Sequence, residues 1–222
     1  MDTFDLYKDI QCRTNGEIYL GVVGPVRSGK STFIKRFMDV LVLPKMTDEH
    51  AKERTVDELP QSASGKSIMT TEPKFVPKEA AEIQLAKDVS VLVRLIDCVG
   101  YMVEGAAGHM ENGAERLVKT PWNEKEIPFT KAAEIGTKKV IHDHSTIGIV
   151  VTTDGSIGEL PRNSYRAAEK KTIQELKSIG KPFVVLVNTR KPYSAEAKNV
   201  AEEIQKEYQV TALPVNCEQL RE

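Results

Sequence analysis

The chain has 222 residues, a formal net charge of −1 and a pI near 6.5, which suits one α/β domain with a full core and gives no field to gather nucleic acid. Cys12, Cys98 and Cys217 are odd in number, scattered and without CxxC spacing, which argues for reduced thiols in a cytosolic protein rather than disulfides or zinc ligation. No apolar stretch is long enough to span a bilayer, and the start MDTFDLYKDIQ lacks the basic flank and apolar run of a signal peptide, so direct transmembrane insertion is not expected and any membrane contact should come through a partner.

In chain order, residues 1–16 read as an N-terminal segment in which Phe4, Tyr7 and Ile10 share one face of a short helix docked on the domain. Residues 17–222 read as the domain itself. Ile18 to Val23 is an apolar run of strand length. It leads into Gly24-Pro25-Val26-Arg27-Ser28-Gly29-Lys30-Ser31-Thr32, a complete G-x-x-x-x-G-K-S phosphate loop opening a helix. Such a turn presents successive backbone N–H groups and the positive end of a helix to the β- and γ-phosphates; Lys30 adds a cation and Ser31 a magnesium ligand. Helical patterns follow at Ser31 to Leu43 and Thr47 to Leu59.

Pro60 to Lys78, rich in Ser, Thr, Lys and Pro, reads as a loop near the phosphates. It contains Met69-Thr70-Thr71-Glu72-Pro73, where a switch protein places a threonine whose hydroxyl binds magnesium and whose N–H senses the γ-phosphate. Either Thr70 or Thr71 fits, with Thr71 preferred for the metal. Ile83 to Leu85 and Val89 to Ile96, joined by a turn at Lys87-Asp88, suggest an antiparallel hairpin grafted onto a parallel sheet, a GTPase-like feature. The second of these strands ends in Asp97-Cys98-Val99-Gly100, a D-x-x-G arrangement: the carboxylate reaches magnesium through water and the Gly100 N–H faces the γ-phosphate. Tyr101 then stands where a water-orienting Gln is often found, so intrinsic hydrolysis should be slow or use another group.

Gly100 to Phe129, rich in Gly, Asn, Glu and Pro, reads as a second mobile loop within an insertion over 100–145, anchored by packing of Trp122. His142 and His144 are near enough in sequence for a metal pair but lack a third ligand, and read as a solvated helix end. Strands at Ile147 to Val151, Phe183 to Val187 and Val210 to Val215 alternate with helices at Ser164 to Ile179 and Ala195 to Tyr208, as in a doubly wound sheet. After Val187 comes Asn188-Thr189-Arg190-Lys191. In the guanine reader Asn-Lys-x-Asp the final Asp accepts from guanine N1–H and N2–H₂; a lysine there offers donors only, at a loss on the order of 1–3 kcal/mol per unmet polar group. Guanine preference should collapse and adenine become acceptable. Arg27, inside the phosphate loop, is a candidate for supplying charge to the phosphates in cis.

GPVRSGKST, IMTTEPKFVP, RLIDCVGYMVEGAAGH, GIVVTTDGSIGELPR and VNTRKP together resemble the stage IV sporulation protein A family, spore-coat morphogenetic ATPases of endospore-forming bacteria, over essentially the whole chain. The resemblance implies a P-loop domain of the translation-factor GTPase type that hydrolyses ATP with Mg2+. Phosphate binding would run over Gly24 to Thr32, with Asp97 for magnesium and Thr70 and Thr71 as sensor threonines required for hydrolysis. It further implies self-assembly into a polymer, association with a small amphipathic membrane-bound protein and other coat morphogenetic proteins, and a place in the mother-cell cytoplasm at the outer forespore membrane. Family members are much longer, so the chain resembles the ATPase domain alone.

Overall fold

In the computed structural model, which describes residues 16–60, 71–86, 89–111 and 113–221, a six-stranded sheet carries two hydrophobic layers. Strand β1 (Glu17–Val23) is followed by helix α1 (Lys30–Phe37), helix α2 (Glu49–Glu58) and strands β2 (Lys74–Ala86) and β3 (Val89–Asp97). Four short strands come next, β4 (Met110–Glu111), β5 (Ala114–Glu115), β6 (Leu117–Thr120) and β7 (Asn123–Pro128). Helix α3 (Phe129–Lys139), β8 (Ile147–Thr153), α4 (Arg162–Ser178), β9 (Phe183–Asn188), α5 (Ala195–Tyr208) and β10 (Ala212–Val215) complete the chain. The sheet order is β10-β9-β8-β1-β3-β2, all pairs parallel except β2 against β3.

The near-continuous apolar strands are explained by burial on both faces. Neighbours along a strand point to opposite sides, so Val23, Ile96, Val150 and Val187 join one core cluster while Val22, Leu95, Val151 and Leu186 join the other. The first layer is covered by Tyr165, Ile173 and Leu176 of α4 and Ile204 of α5, the second by Phe33 and Ile34 of α1. Because β1, β3, β8 and β9 run the same way, their C-terminal ends open on one edge, where an α/β sheet of this kind binds its ligand.

The expected strands and helices are present, with local differences. The first helix keeps α-geometry only to Phe37; Met38–Val42 widen into a π-helical turn and Leu43–Lys45 tighten into a 3-10 turn. Pro44 accounts for the break, since it lacks an N–H and its ring crowds the carbonyl of the preceding turn. Asp48 caps α2, accepting from His50 N–H and Ala51 N–H at 2.9 and 3.2 Å. The hairpin strand is longer than expected, beginning at Lys74 inside the stretch read as loop; Lys74 sits opposite Asp97.

The segment 100–145 has two parts. Residues 100–128 carry two small antiparallel hairpins, β4–β5 and β6–β7, rather than a structureless loop. From Phe129 the chain becomes α3 and a π-helical turn, Val140–His144, with Phe129, Ala132, Val140 and Ile141 fully buried. No helical pattern was expected over 129–139, because beyond Phe129 its buried face is made of alanines, a glycine and a threonine rather than large side chains. The segment 1–15 with Phe4, Tyr7, Ile10 and Cys12, the residues Met69 and Thr70, and the turn at Lys87-Asp88 lie outside the described residues.

Candidate functional site

The phosphate loop occupies the turn between β1 and α1 at the strand-end edge. Its backbone is left-handed at Arg27 (φ 60°) and Gly29 (φ 97°). Gly29 is required twice over: L side chains avoid that φ, and a Cβ there would overlap the Asn188 side-chain amide. Asn188 Nδ2 donates to the Ser28 carbonyl at 3.0 Å and Oδ1 accepts from Cys217 N–H at 3.0 Å, so this one buried amide ties the phosphate loop to the loop after β10. The other wall is the D-x-x-G segment. Tyr101 N–H donates to the Gly24 carbonyl at 3.2 Å and Val26 N–H to the Tyr101 carbonyl at 2.9 Å, while Gly100, at φ 93°, lies against Gly24.

Within these walls sit the charged groups that the sequence singles out. Lys30 is 4 % exposed and donates to the Pro25 carbonyl at 2.6 Å; burial pushes its ammonium below the usual lysine range. Ser31 Oγ donates to Asp97 Oδ2 at 2.7 Å, and Asp97 Oδ1 is buried with no partner. Burial pushes the Asp97 carboxyl up, against the opposing pull of the Ser31 hydrogen bond and the Lys30 charge. Ser28 is fully buried and its hydroxyl is likewise unpartnered. Orphaned buried polar atoms are costly, and here they are a carboxylate oxygen of Asp97 and the hydroxyl of a phosphate-loop serine, in the company of the buried Lys30 ammonium. That donor and acceptor set fits a magnesium nucleotide: Ser31 and Asp97 would hold the metal, with Lys30 and the loop on the phosphates.

Thr71 is described and is buried, 4 % exposed, three residues before β2. Arg27 is exposed and its guanidinium donates to the Ala107 carbonyl at 3.1 Å, which ties the phosphate loop to the insertion. Tyr101 is 3 % exposed with its hydroxyl buried and unpartnered and Lys171 over its ring at 4.6 Å. Burial raises its pKa, so its hydroxyl is a core group and no base at neutral pH.

Beyond the loop a cavity of about 430 Å³ opens between Thr32, Lys35 and Asp39 on one side and Asn188, Arg190, Asn216 and Glu218 on the other. This volume is in the range of small-molecule sites. Of the two cations that end the reader run, Arg190 and not Lys191 lines it, beside Lys35 and Arg36 of α1; the Lys191 side chain is exposed, its N–H donating to Thr189 Oγ1 at 3.2 Å. Thr189 is turned away to Asp154, donating to Oδ2 at 2.5 Å. Asp154 also accepts from the Ser156 N–H and hydroxyl at 2.9 and 2.6 Å, and Ser156 Oγ accepts from Arg190 N–H at 3.1 Å.

Sequence reasoning missed Asp154, Asn216 and Glu218. Their only signal is position, each following a parallel strand at the ligand edge. His142 Nε2 lies 2.8 Å from Glu175 and His144 packs edge-on to Phe75; among the described residues no cluster suited to a metal ion is found. Trp122, beneath the Lys139 ammonium at 5.6 Å, ties the β6–β7 turn to α3. Cys98 and Cys217 are buried, their thiols pushed up to about 11 and about 12. Among the described residues no helix is long and apolar enough to cross a membrane.

The chain is 56% identical to stage IV sporulation protein A of Clostridioides difficile (strain 630) over 218 residues, covering 98% of this chain and 44% of that one. It is 51% identical over 222 residues to the proteins of the same name from Bacillus anthracis and Bacillus subtilis (strain 168), covering 100% of this chain and 45% of each. The chain thus spans less than half the length of the curated relatives it matches. A solved SsGBP variant superimposes with a TM-score of 0.47 at 14% identity, covering 95% of this chain and 52% of that one. The family model described as "Stage IV sporulation protein A, ATPase domain" matches residues 1–222, and the chain therefore belongs to that family.

Proposed function

We propose that the chain binds ATP with magnesium and hydrolyses it to ADP and phosphate, and that in the longer protein this turnover drives self-assembly of a coat layer during sporulation. The observation that carries the reading is the pairing of Ser31 with Asp97 beside buried Lys30, with Asp97 Oδ1 left unpartnered. Magnesium, when bound, supplies charge to the β- and γ-phosphate oxygens. Lys30 and the loop amides hold the transferring phosphoryl group in a water-poor cleft, where fixed positive charge counts most. Thr70 or Thr71 reports loss of the γ-phosphate by moving with its loop.

Adenine is favoured because the reader run brings Arg190, Thr189 and Lys191 in place of an acidic discriminator, while Glu218 and Asn216 give the cavity wall side chains able to accept from an exocyclic amine and donate to a ring nitrogen. Assembly and the sporulation role are supported by family membership and by the names of the relatives. Partners on a membrane surface are part of the same proposal. The retention of nucleotide without turnover is a second reading, favoured by Tyr101, whose buried ring leaves the customary water-orienting position without a polar side chain facing the phosphates.

Phosphate release from the purified chain decides between them, with ATP and GTP in parallel and with the Lys30→Ala, Thr70→Ala and Thr71→Ala variants. ATP turnover exceeding GTP turnover and lost in Lys30→Ala supports the first reading. Equal release from all four proteins identifies a contaminant and overturns it.

A further inference from the structure

The helix α3 holds a glycine in its interior, at Gly136, where glycine is next to proline the least favourable residue. Its backbone is helical, so no special dihedral calls for it. The surroundings do: a Cβ at Gly136 would stand 2.5 Å from the Thr71 carbonyl oxygen and 3.7 Å from Pro73 Cδ. A backbone oxygen cannot swing aside as the end of a side chain can, so the methyl group of an alanine would push the whole Thr71 segment off the helix.

The contact is one point of a seam. Thr71 is buried against α3, Pro73 touches the same residue, and Phe75 packs edge-on to His144 in the turn that continues the helix, ring centroids 5.5 Å apart. The next residue of the helix, Thr137, is fully buried, its hydroxyl donating to the Ala133 carbonyl at 2.8 Å. The face of α3 at Gly136 therefore seats the threonine segment, whose strand goes on to set Lys74 opposite Asp97.

We propose that Gly136 is a positioning residue: it is the notch in α3 that lets the Thr71 backbone lie close enough for the threonine to serve the magnesium side of the nucleotide site. The inference rests on the ATP reading above for the identity of the ligand. It assigns to α3 a role separate from that of the phosphate loop.

The test compares the wild-type chain with Gly136→Ala, Thr71→Ala and the double variant. Three readouts are needed: kcat and KM for ATP, the affinity for ADP, and the affinity for a non-hydrolysable ATP analogue with and without magnesium. Melting without nucleotide is the control. Gly136→Ala is expected to melt somewhat lower than wild type, since displacing the Thr71 backbone outweighs alanine's helix preference, and to keep its ADP affinity within about twofold. Its kcat should fall on the order of ten- to a hundredfold, as small misplacements in such sites do, and magnesium should tighten the analogue less than in wild type. In the Thr71→Ala background the glycine substitution should add little, because both act through one residue.

Unchanged kcat and unchanged magnesium dependence in Gly136→Ala would overturn the proposal. So would a lowered melt with ADP binding lost in parallel, which would make Gly136 a packing residue only. Failure of the wild type to release phosphate would count against the hydrolytic reading; the analogue and melting arms, which need no turnover, would still decide the role of Gly136.

Discussion

Two residues set the character of the site, and both sit in it uncomfortably. Lys30 is pushed below its usual range and Asp97 above its own, each chiefly by burial. They are in reach of each other's field, yet the first-named cause in both cases is loss of water, so their attraction only partly offsets it. For Asp97 the consequence for stability has a definite sign. Its folded pKa lies above its ordinary value of 3.8, so the folded chain binds the proton more tightly than the unfolded chain does. Stability is then highest below 3.8 with respect to this group and falls as pH rises through the folded pKa. With respect to this group the fold is less stable at neutral pH than near pH 4. Asp97→Asn is therefore expected to raise the melting temperature of the nucleotide-free chain at pH 7, by roughly 2–4 °C for each kcal/mol relieved, with the gain shrinking as the buffer approaches pH 4. The same variant should lose the further stabilisation that magnesium gives to bound nucleotide. Melting curves at several pH values check it; a gain that grows towards acid pH would show that the carboxylate is stabilised in the fold.

Elements, in contrast to these single groups, were largely readable beforehand, and the reasons are specific. Apolar runs such as Ile147 to Val151 and Phe183 to Val187 could only be strands buried on both faces, and α5 over Ala195–Tyr208 follows the spacing of Ala197, Ala201 and Ile204. The phosphate loop, Asp97 and Asn188 are local patterns, and the structure brings them to one edge. What local pattern could not show was α3, whose buried face is small because the chain beside it comes close. Nor could it show Asp154, whose partner Thr189 is 35 residues away. The tie between α4 and β8 was equally hidden: Glu169, 1 % exposed, takes two hydrogen bonds from Arg162 at 2.6 and 2.8 Å and one from Thr152 at 2.6 Å. Arg162 also reaches the Thr153 carbonyl at 3.3 Å, beside Asp154. This pair fixes the start of α4 against the strand end that carries Asp154, the partner of Thr189. Glu169→Ala would leave Arg162 charged and mostly buried, so it is expected to cost about 3–5 kcal/mol in denaturant unfolding. A loss below 1 kcal/mol would mean that water reaches the guanidinium and that the pair does not organise the helix.

At the scale of the whole molecule the site is assembled from both ends of the chain: the phosphate loop follows β1, and its supports Asn188 and Cys217 belong to β9 and the loop after β10. Arg36 on α1 reinforces the closure by donating to the Leu220 carbonyl at 2.9 Å. A ligand that fills this junction bridges groups more than 150 positions apart, Asn188 and Ser28 being separated by 160. It should therefore stabilise the fold as a unit rather than one segment. Linkage gives the size: ligand at a hundred times its dissociation constant adds about 2.7 kcal/mol, or roughly 5–11 °C for a domain of this length. The selectivity of the cavity can be read from the same experiment. Magnesium ATP is expected to raise the melting temperature more than magnesium GTP at equal concentration, because the reader run presents donors where guanine also presents donors. EDTA should remove much of the ATP effect through Ser31 and Asp97 while leaving part of it, since the loop amides and Lys30 act on the phosphates directly. Should GTP stabilise the chain more than ATP, Glu218 becomes the acceptor for guanine's N1–H and N2–H₂, and the adenine reading of the cavity fails.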